Sequence, residues 1–401
     1  MSTHSNLTTG AHAMSDAAAA YLDALRAIGA NLVIVSHVLA LHFGIKGLFP
    51  FGGLGVTIFF LLSGFLIMQS LLNRTSSNTP QLPGFLADRA ARILTPYVPA
   101  LVLIAIMNLI FIDGSYSRDG LNNGMLAFVG NLLLLQDHSA FQFLELLGID
   151  LAWRIRPYNS AEPFWTVAIE MWIYVAAGLF FFCAVQRERI GRGWLTVLIL
   201  VSFPVVVWNA AAGGGKSLSL IWLMGAMIGL IFHRWRAQGY PNAAIIATTM
   251  IGFGSLALIG RVGKVGFYPY DFQTATLVAI VLFGVLARLF TVRHLPSKWQ
   301  RALELAASYS YSLYLLHNTI LIAVLELFPA TDPRARAIVA VVLAHACSYL
   351  FYLAFERHYR TVAAWMRPYF AAVLHRDSAA RITDATLSTS EPAPNLAVRK
   401  P

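Results

Sequence analysis

Long apolar stretches separated by short polar segments dominate this sequence. Ten of them approach the roughly 20 apolar residues that a helix needs to cross a bilayer core. They lie at about 22–42, 53–72, 93–112, 164–184, 194–210, 218–233, 243–260, 272–290, 309–328 and 336–355. The short alternating segments typical of transmembrane barrel strands are absent from this pattern. The sequence therefore predicts an all-α, polytopic membrane helix bundle of about ten transmembrane helices.

Polar segments flank and interrupt the predicted bundle. We expect residues 1–20 to form a polar N-terminal segment, 21–360 the transmembrane domain, and 361–401 a basic, largely disordered C-terminal tail. One loop, about 113–163, is long enough to suggest a function, and MLAFVGNLLLLQ within it indicates a short interfacial or re-entrant helix. The first basic side chain is Arg26, so the positive region of a cleavable signal peptide is not expected.

Basic residues in the short loops predict the orientation. One alternate set of loops carries Arg74, Arg89, Arg92, Arg187, Arg189, Arg192, Arg234, Arg236, Arg288, Arg293, Lys298 and Arg301. The opposite set carries only Lys46, Lys216, Arg261, Lys264, Arg334 and Arg336. The positive-inside rule places the richer set in the cytoplasm, and both termini with it.

Composition excludes the soluble classes of protein. Hydrophobic residues make up 58% of the chain and charged residues only 12%, about half the usual charged share. The net charge of +10 does not indicate a nucleic-acid partner, because the basic residues fall between apolar stretches instead of on one soluble face. Cys183 and Cys347 lie inside apolar stretches, which favours buried thiols over a disulfide or a metal site.

The first apolar stretch contains the segment RAIGANLVIVSH, with a charged residue at one end and a histidine at the other. Arg26 and His37 are close to three helical turns apart, so they share one helix face at a separation of about 16 Å. A histidine inside the membrane is expected to face protein or water, and it is well placed to accept a proton from a hydroxyl. The alternative is a histidine that only hydrogen-bonds between helices.

The fourth stretch begins with EPFWTVAIEMWIYV. Glu170 lies about two turns inside it, with Tyr174 one turn further on the same face. A carboxylate within the membrane is either functional or paired with a basic residue for architecture, and the sequence leaves both open. Trp165 precedes them in the same segment and is a further candidate for substrate binding.

Polar groups recur in two other segments. In SYSYSLYLLHNTI, the residues Ser310, Tyr314 and His317 form a polar stripe that should line something polar. In FLADRAARILTPY, Arg89 and Arg92 share a helix face, where they would hold phosphates or serve only to orient the protein.

Two further segments favour plain structural readings. In GGLGVTIFFLLSGFLI, the glycines indicate close helix packing, and Ser63 lacks the setting of a nucleophile elbow. AGGGKS at 212–217 lacks the first glycine of a phosphate loop, so nucleotide binding is not expected there.

Taken in order, six segments resemble the acyltransferase 3 family of bacterial membrane proteins over about residues 20–360. They are LDALRAIGANLVIVSH, GGLGVTIFFLLSGFLI, FLADRAARILTPY, EPFWTVAIEMWIYV, SYSYSLYLLH and FYLAFERHYR. The resemblance implies a fold of about ten helices in the bacterial inner (cytoplasmic) membrane. It also implies transfer of an acyl group, often acetyl, from cytoplasmic acyl-CoA to a hydroxyl of a cell-surface or lipid-linked carbohydrate, with no metal.

The resemblance also implies roles for individual residues. His37 would be the catalytic base, and Arg26, Arg89 and Arg92 would bind acyl-CoA. The polar residues themselves, and not the resemblance, make Glu170 a second catalytic candidate, and the candidates for substrate binding are Ser63, Trp165, Tyr174, Tyr314 and His317. Many relatives have a proline soon after the ninth-stretch histidine, whereas Asn318 and Thr319 follow it here. A covalent acyl-enzyme through Ser63 or His37 stays open, as does a transporter or flippase for a glycan or lipid-linked intermediate.

Overall fold

The computed structural model describes residues 15–45, 50–74, 81–112, 122–149, 154–211, 217–290, 292 and 296–388. Parts of the long loop (113–121 and 150–153), most of AGGGKS (212–216) and the end of the tail (389–401) lie outside the described residues.

The described residues form α-helices joined by short connections. In chain order they are α1 Asp16–Phe43, α2 Phe51–Leu72, α3 Leu82–Phe111, α4 Gly124–Leu132, α5 Ser139–Leu146, α6 Phe164–Gly178, α7 Arg192–Ala211, α8 Leu218–Ala237, α9 Ala243–Val265, α10 Phe272–Leu289, α11 Ser297–Ser308, α12 Ser310–Leu327, α13 Pro333–Ala354 and α14 Tyr359–Ser388. A π-helical segment, Leu179–Val185, continues α6, and a 3₁₀ turn, Glu356–His358, joins α13 to α14.

Ten helices in the described part of the chain are long and apolar enough to cross a membrane. They are α1, α2, α3, α6 with its π-helical segment, α7, α8, α9, α10, α12, and α13 continued to Leu374. Each corresponds to one predicted stretch, which confirms the all-α bundle. The short helices α4 and α5 lie in the predicted long loop, and α4 contains the start of MLAFVGNLLLLQ. The orientation stays a prediction.

Helix α3 begins well before the predicted third stretch, which was placed at about 93. Pro83 stands in the first turn of α3, a position where a proline starts a helix readily. The carboxylate of Glu188 accepts hydrogen bonds from the backbone N–H groups of Gln81 (2.9 Å) and Leu82 (3.1 Å) and so caps the helix. Arg89 and Arg92 consequently lie on a capped helix and not in a loop.

The first part of the predicted tail, residues 361–388, belongs to α14. Ala363 and Leu374 of α14 are buried, and α14 packs along α3. Arg367 forms an ion pair with Asp88 of α3 at 2.9 Å. These contacts give the segment a partner for its apolar face, which its polar composition did not indicate.

Glycines bring α2 and α8 into backbone contact. A Cβ atom on Gly64 would lie 2.0 Å from the carbonyl oxygen of Trp222, and one on Gly225 would lie 2.2 Å from that of Leu61. No side chain fits at either position without moving a helix. The structure agrees with the predicted role of the glycines in close packing.

Replacing Gly64 with alanine is expected to lower the free energy of unfolding by about 1–3 kcal/mol, because the added methyl group forces α2 away from α8. Thermal unfolding of the purified protein in detergent measures this. Gly260→Ala is the matched control, since a Cβ on Gly260 of α9 meets nothing within 4 Å and alanine favours helix. Equal melting temperatures for the two variants would contradict the packing argument.

Candidate active site

A cavity of about 640 Å³ lies where the second half of α1 meets the first turns of α2 and α6. Its volume falls in the usual range of sites for small ligands. Aromatic rings, amides and charged groups line it, including Ser36, His37, Asp137, Gln142, Arg154, Arg156, Glu162, Trp165, Trp208, Asn209, Tyr270 and Tyr314. In the predicted orientation this is the extracytoplasmic end of the bundle.

Ion pairs organise the loop that forms one wall of the cavity. Asp137 accepts hydrogen bonds from Arg156 (2.7 Å) and Arg154 (3.2 Å), and Arg154 also contacts Glu145 at 2.9 Å. Across the cavity, burial raises the pKa of Tyr270 to about 12, so its phenol is a neutral hydrogen-bond donor. The wall therefore presents balanced charges and polar donors.

His37 lines this cavity as the sequence pattern predicted for a functional histidine. Its Nδ1 lies 2.7 Å from Oδ1 of Asn318 on α12. The Nδ2 of Asn318 donates to the backbone carbonyl of Ser160 at 2.7 Å. The imidazole is thus held between α1 and α12 with one edge on the cavity. Sequence reasoning noted Asn318 only as a departure from the relatives' proline and missed this contact.

The predicted polar stripe on α12 divides among three environments. Tyr314 lines the cavity, and its hydroxyl is bonded to Thr166 Oγ1 at 2.6 Å. His317 is fully buried, with its ring centroid 5.0 Å from that of His37, and its Nδ1 donates to the carbonyl of Tyr314 at 2.9 Å. Ser310 donates to the carbonyl of Ala307 at 2.8 Å, which is a local contact at the helix start. His317 therefore packs against the ring of His37 and does not line the cavity.

Ser63, Tyr174 and Glu170 form a separate hydrogen-bonded chain between α2 and α6. Trp222 Nε1 donates to Ser63 Oγ at 3.1 Å, and Ser63 Oγ lies 2.8 Å from the hydroxyl of Tyr174. The Tyr174 hydroxyl donates to Glu170. Ser63 is also hydrogen-bonded to Glu170. The chain runs towards Glu170 and lies outside the cavity lining.

The three predicted donor-binding arginines form one electrostatic cluster. Arg92 lies within electrostatic range of both Arg26 and Arg89. Each of the three guanidinium groups also interacts electrostatically with Tyr174. Arg26 is hydrogen-bonded to Asp23 at 2.7 Å. Arg89 packs over the Phe85 ring at 5.9 Å and forms no ion pair with any residue in the described ranges. The structure thus brings the arginines together and leaves Arg89 with its charge unneutralised by a direct partner.

Glu356 is a neighbour of the arginine cluster that sequence reasoning missed. Its side chain is fully buried and lies 3.2 Å from Arg92, whose side chain is 37% exposed. The other carboxylate oxygen accepts from the hydroxyl of Ser312 at 2.6 Å and from its backbone N–H at 3.1 Å. Arg92 also lies over the Tyr359 ring at 4.8 Å. An acid just after an apolar stretch, in FYLAFERHYR, was the available signal.

The arginine cluster and His37 lie at different depths of the bundle. Among the predicted site residues, His37, Trp165 and Tyr314 line the cavity, whereas Arg26, Arg89 and Arg92 are not part of its lining. Tyr314, which lines the cavity, is within electrostatic range of Glu170. A passage from the arginines to the imidazole stays a prediction. Within the described ranges, His, Cys, Asp and Glu side chains form no group of three arranged to hold a metal ion.

Comparisons with known proteins identify the family of the chain. A family model described as an acyltransferase domain, that of the acyltransferase 3 family, matches residues 19–353. An O-acetyl transferase of Shigella phage Sf6 is 23% identical over 256 residues, which cover 58% of this chain and 69% of the relative. No solved structure matches the chain. The family match favours acyl transfer over transport, and because it extends from α1 through α13, the chain belongs to the acyltransferase 3 family and is a membrane acyltransferase.

Proposed function

We propose that this enzyme transfers an acyl group, and specifically acetyl, from acyl-CoA to a hydroxyl of a cell-surface or lipid-linked carbohydrate in a bacterial cytoplasmic membrane. The observation that carries the proposal is the placement of His37, whose ring lines a ligand-sized cavity while Asn318 holds its Nδ1. The name of the phage relative, O-acetyl transferase, supports acetyl as the group transferred and oxygen as the acceptor atom.

The arginine cluster supports acyl-CoA as the donor. Arg89 and Arg92 stand on one face of α3, and Arg26 faces them from α1. Guanidinium groups bind phosphate oxygens through paired hydrogen bonds, and coenzyme A carries several phosphates. In the predicted orientation the cluster lies on the cytoplasmic side, where acyl-CoA is found. The thioester would then extend along the bundle towards His37.

The cavity supports a carbohydrate as the acceptor. Trp165, Trp208 and Tyr270 offer aromatic faces that pack against the apolar faces of sugar rings. Amide and carboxylate groups, such as those of Asn209 and Asp137, bond to sugar hydroxyls. The cavity lies at the membrane end of the bundle opposite the arginines, so the acceptor would enter from the extracytoplasmic side.

The reaction follows from the position of His37. Its Nε2 removes the proton of the acceptor hydroxyl while the oxygen attacks the thioester carbonyl carbon. The new C–O bond forms, the C–S bond breaks, and the coenzyme A thiolate takes the proton back from the imidazolium. The products are an O-acyl ester and free coenzyme A. A positioned base of this kind contributes about 10²- to 10⁴-fold in rate.

Replacing Arg89 with glutamine tests the donor. The variant is expected to raise the KM for acetyl-CoA by about 10- to 100-fold, because one or two charge-assisted hydrogen bonds to phosphate are lost. Labelled acetyl-CoA binding and acetyl transfer to surface glycans, both measured on purified protein or membranes, give the KM and the binding constant. Folding should be unaffected, since Arg89 has no ion pair among the described residues.

Arg234→Gln is the matched control, because Arg234 is an exposed arginine at the end of α8 on the same predicted side. It should bind acetyl-CoA as the unaltered enzyme does. An unaltered enzyme that neither binds acetyl-CoA nor transfers acetyl from it would disprove the proposed donor and indicate a different acyl donor. Equal binding by Arg89→Gln and Arg234→Gln would remove Arg89 from the donor site.

A further inference from the structure

Asn318 links the candidate base to the loop that precedes α6. It is buried, at 3% exposed, on the side of α12 that faces α1. Its amide makes two short side-chain hydrogen bonds, one with His37 Nδ1 and one with the Ser160 carbonyl, both at 2.7 Å. Asn318 therefore contacts the imidazole on the side that faces away from the cavity.

The Ser160 contact determines which amide atom faces His37. A backbone carbonyl can only accept a hydrogen bond, so the amide nitrogen of Asn318 must point at Ser160. The amide oxygen then points at His37 and can only accept. His37 Nδ1 must consequently carry the proton, and in the neutral ring the lone pair belongs to Nε2. The network thus selects one tautomer of the histidine.

Ser160, which accepts a hydrogen bond from this amide, is itself held by α12 and by one further helix, α3. Ser160 Oγ lies 2.7 Å from Thr319 Oγ1 on α12 and accepts a hydrogen bond from Asn108 Nδ2 on α3 at 2.7 Å. Asn108 Nδ2 also donates to the carbonyl of Ile104 at 2.8 Å. The loop before α6 is therefore tied to α3 and α12 at Ser160, and the carbonyl that orients Asn318 has little freedom to move.

We propose that Asn318 is a positioning residue for His37, which keeps Nε2 as the basic nitrogen and stabilises the imidazolium formed when the hydroxyl is deprotonated. The inference rests on the proposed function of His37 as the base. Asn318 acts through the histidine and does not line the cavity. The same logic applies wherever a hydrogen-bond acceptor behind a catalytic histidine sets its tautomer.

Two substitutions should move the pH–rate profile in opposite directions. Asn318→Leu removes the acceptor, so kcat should fall roughly 10²-fold while the KM for acetyl-CoA stays unchanged. The acid limb, where activity falls as the base becomes protonated, should shift to lower pH because the imidazolium loses a stabilising partner. Asn318→Asp keeps an acceptor for Nδ1–H and adds a negative charge that stabilises the imidazolium. It should retain activity within about 10-fold, and its acid limb should shift upward by about 1 pH unit.

The other titratable or charged groups around His37 stay the same in both variants. Among the described residues they include His317 on α12 and the cavity-wall residues Asp137, Arg154, Arg156, Glu162, Tyr270 and Tyr314. Ser202→Ala is the matched control, since Ser202 is fully buried on α7, donates to the carbonyl of Leu198 on its own helix, and takes no part in the hydrogen bonds around Ser160 and His37. Its acid limb should stay in place.

A purely structural role predicts a different result. Asn318→Leu with unaltered kcat, or acid limbs that shift the same way in Asn318→Leu and Asn318→Asp, would overturn the inference. So would a pH–rate profile of Ser202→Ala that shifts as that of Asn318→Leu does.

A second measurement separates this inference from the proposed function. In ¹⁵N-histidine-labelled protein, the His37 signal is assigned by its absence in His37→Gln. The unaltered protein should show Nδ1–H, and Asn318→Leu should show a mixture of tautomers. Nε2–H in the unaltered protein would overturn the inference, whatever the activity. Failure of acetyl transfer with Nδ1–H intact would instead disprove the function and leave the hydrogen bond established.

Discussion

Replacing His37 with glutamine is expected to lower kcat for acyl transfer by about 10²- to 10⁴-fold, the contribution of a positioned general base. Glutamine fills most of the same volume and keeps a group that can bond to Asn318, so the bundle should remain folded. The affinity for acetyl-CoA should change little, because Arg26 lies about 16 Å from His37 along α1. Acetyl transfer and acetyl-CoA binding, measured on the same preparation, separate these two effects.

His345→Gln is the matched control for this prediction. His345 is a half-buried histidine of α13 whose Nδ1 lies 3.1 Å from the hydroxyl of Tyr309, and it does not line the cavity. Its replacement should leave transfer close to normal. If His37→Gln retained activity similar to that of His345→Gln, the imidazole would have no part in proton transfer, and the mechanism would need another base.

Replacing Arg92 with methionine is expected to lower the free energy of unfolding by about 3–5 kcal/mol, because it leaves the carboxylate of Glu356 buried without its cation. The lower end of this range is expected, since Ser312 still donates two hydrogen bonds to that carboxylate. The contact of Arg92 with the Tyr359 ring is lost as well. Thermal unfolding in detergent gives the size of the effect.

A double variant isolates the ion pair. Arg92→Met combined with Glu356→Gln removes both charges and keeps an acceptor for Ser312, so most of the lost stability should return. Arg89→Met serves as the control, and it should unfold near the normal temperature. Identical stabilities of Arg92→Met and Arg89→Met would contradict a structural role for the Arg92–Glu356 pair. The double variant should still use acetyl-CoA poorly, because the cluster has lost one guanidinium.

These experiments assign different duties to two arginines that look alike in the sequence. Arg92 is committed to Glu356 on one side and is partly exposed on the other. Arg89 has no ion pair among the described residues. We therefore expect Arg89 to act mainly on donor affinity, and Arg92 to act on both folding and donor affinity. The three-residue spacing predicted that Arg89 and Arg92 would lie together on one face of α3. Their different contacts in the structure predict their different roles.

The polar residues of α12 show how far a periodic pattern can be trusted. Ser310, Tyr314 and His317 were predicted to line one polar surface. In the structure, Tyr314 reaches the cavity, His317 is sealed behind His37, and Ser310 bonds within its own chain segment. A helix face meets several neighbours along its length, so residues that share a face need not share an environment. The catalytic and binding roles of these residues remain predictions.

The two contacts that shape the site most were the hardest to anticipate. His37 and Asn318 are 281 residues apart, and Glu356 meets Arg92 from the opposite end of the chain. Their positions in the sequence carried weak signals, an asparagine after His317 and an acid at the end of the last apolar stretch. Nothing in local spacing says which of the other helices will face them.

Hydropathy alone was sufficient to place the ten spans and to establish that they are helical, because lipid obliges each segment to satisfy its backbone hydrogen bonds internally. It also singled out His37, Glu170 and the paired arginines, because polar groups are costly in hydrocarbon and are found there mainly at functional or paired sites. The packing of helices determined everything that depends on pairs of distant residues: the partner of His37, the partner of Arg92 and the docking of α14 on α3. Such pairings depend on how the close-packed surfaces of the helices fit together. The residues that form these surfaces are distributed over the whole chain.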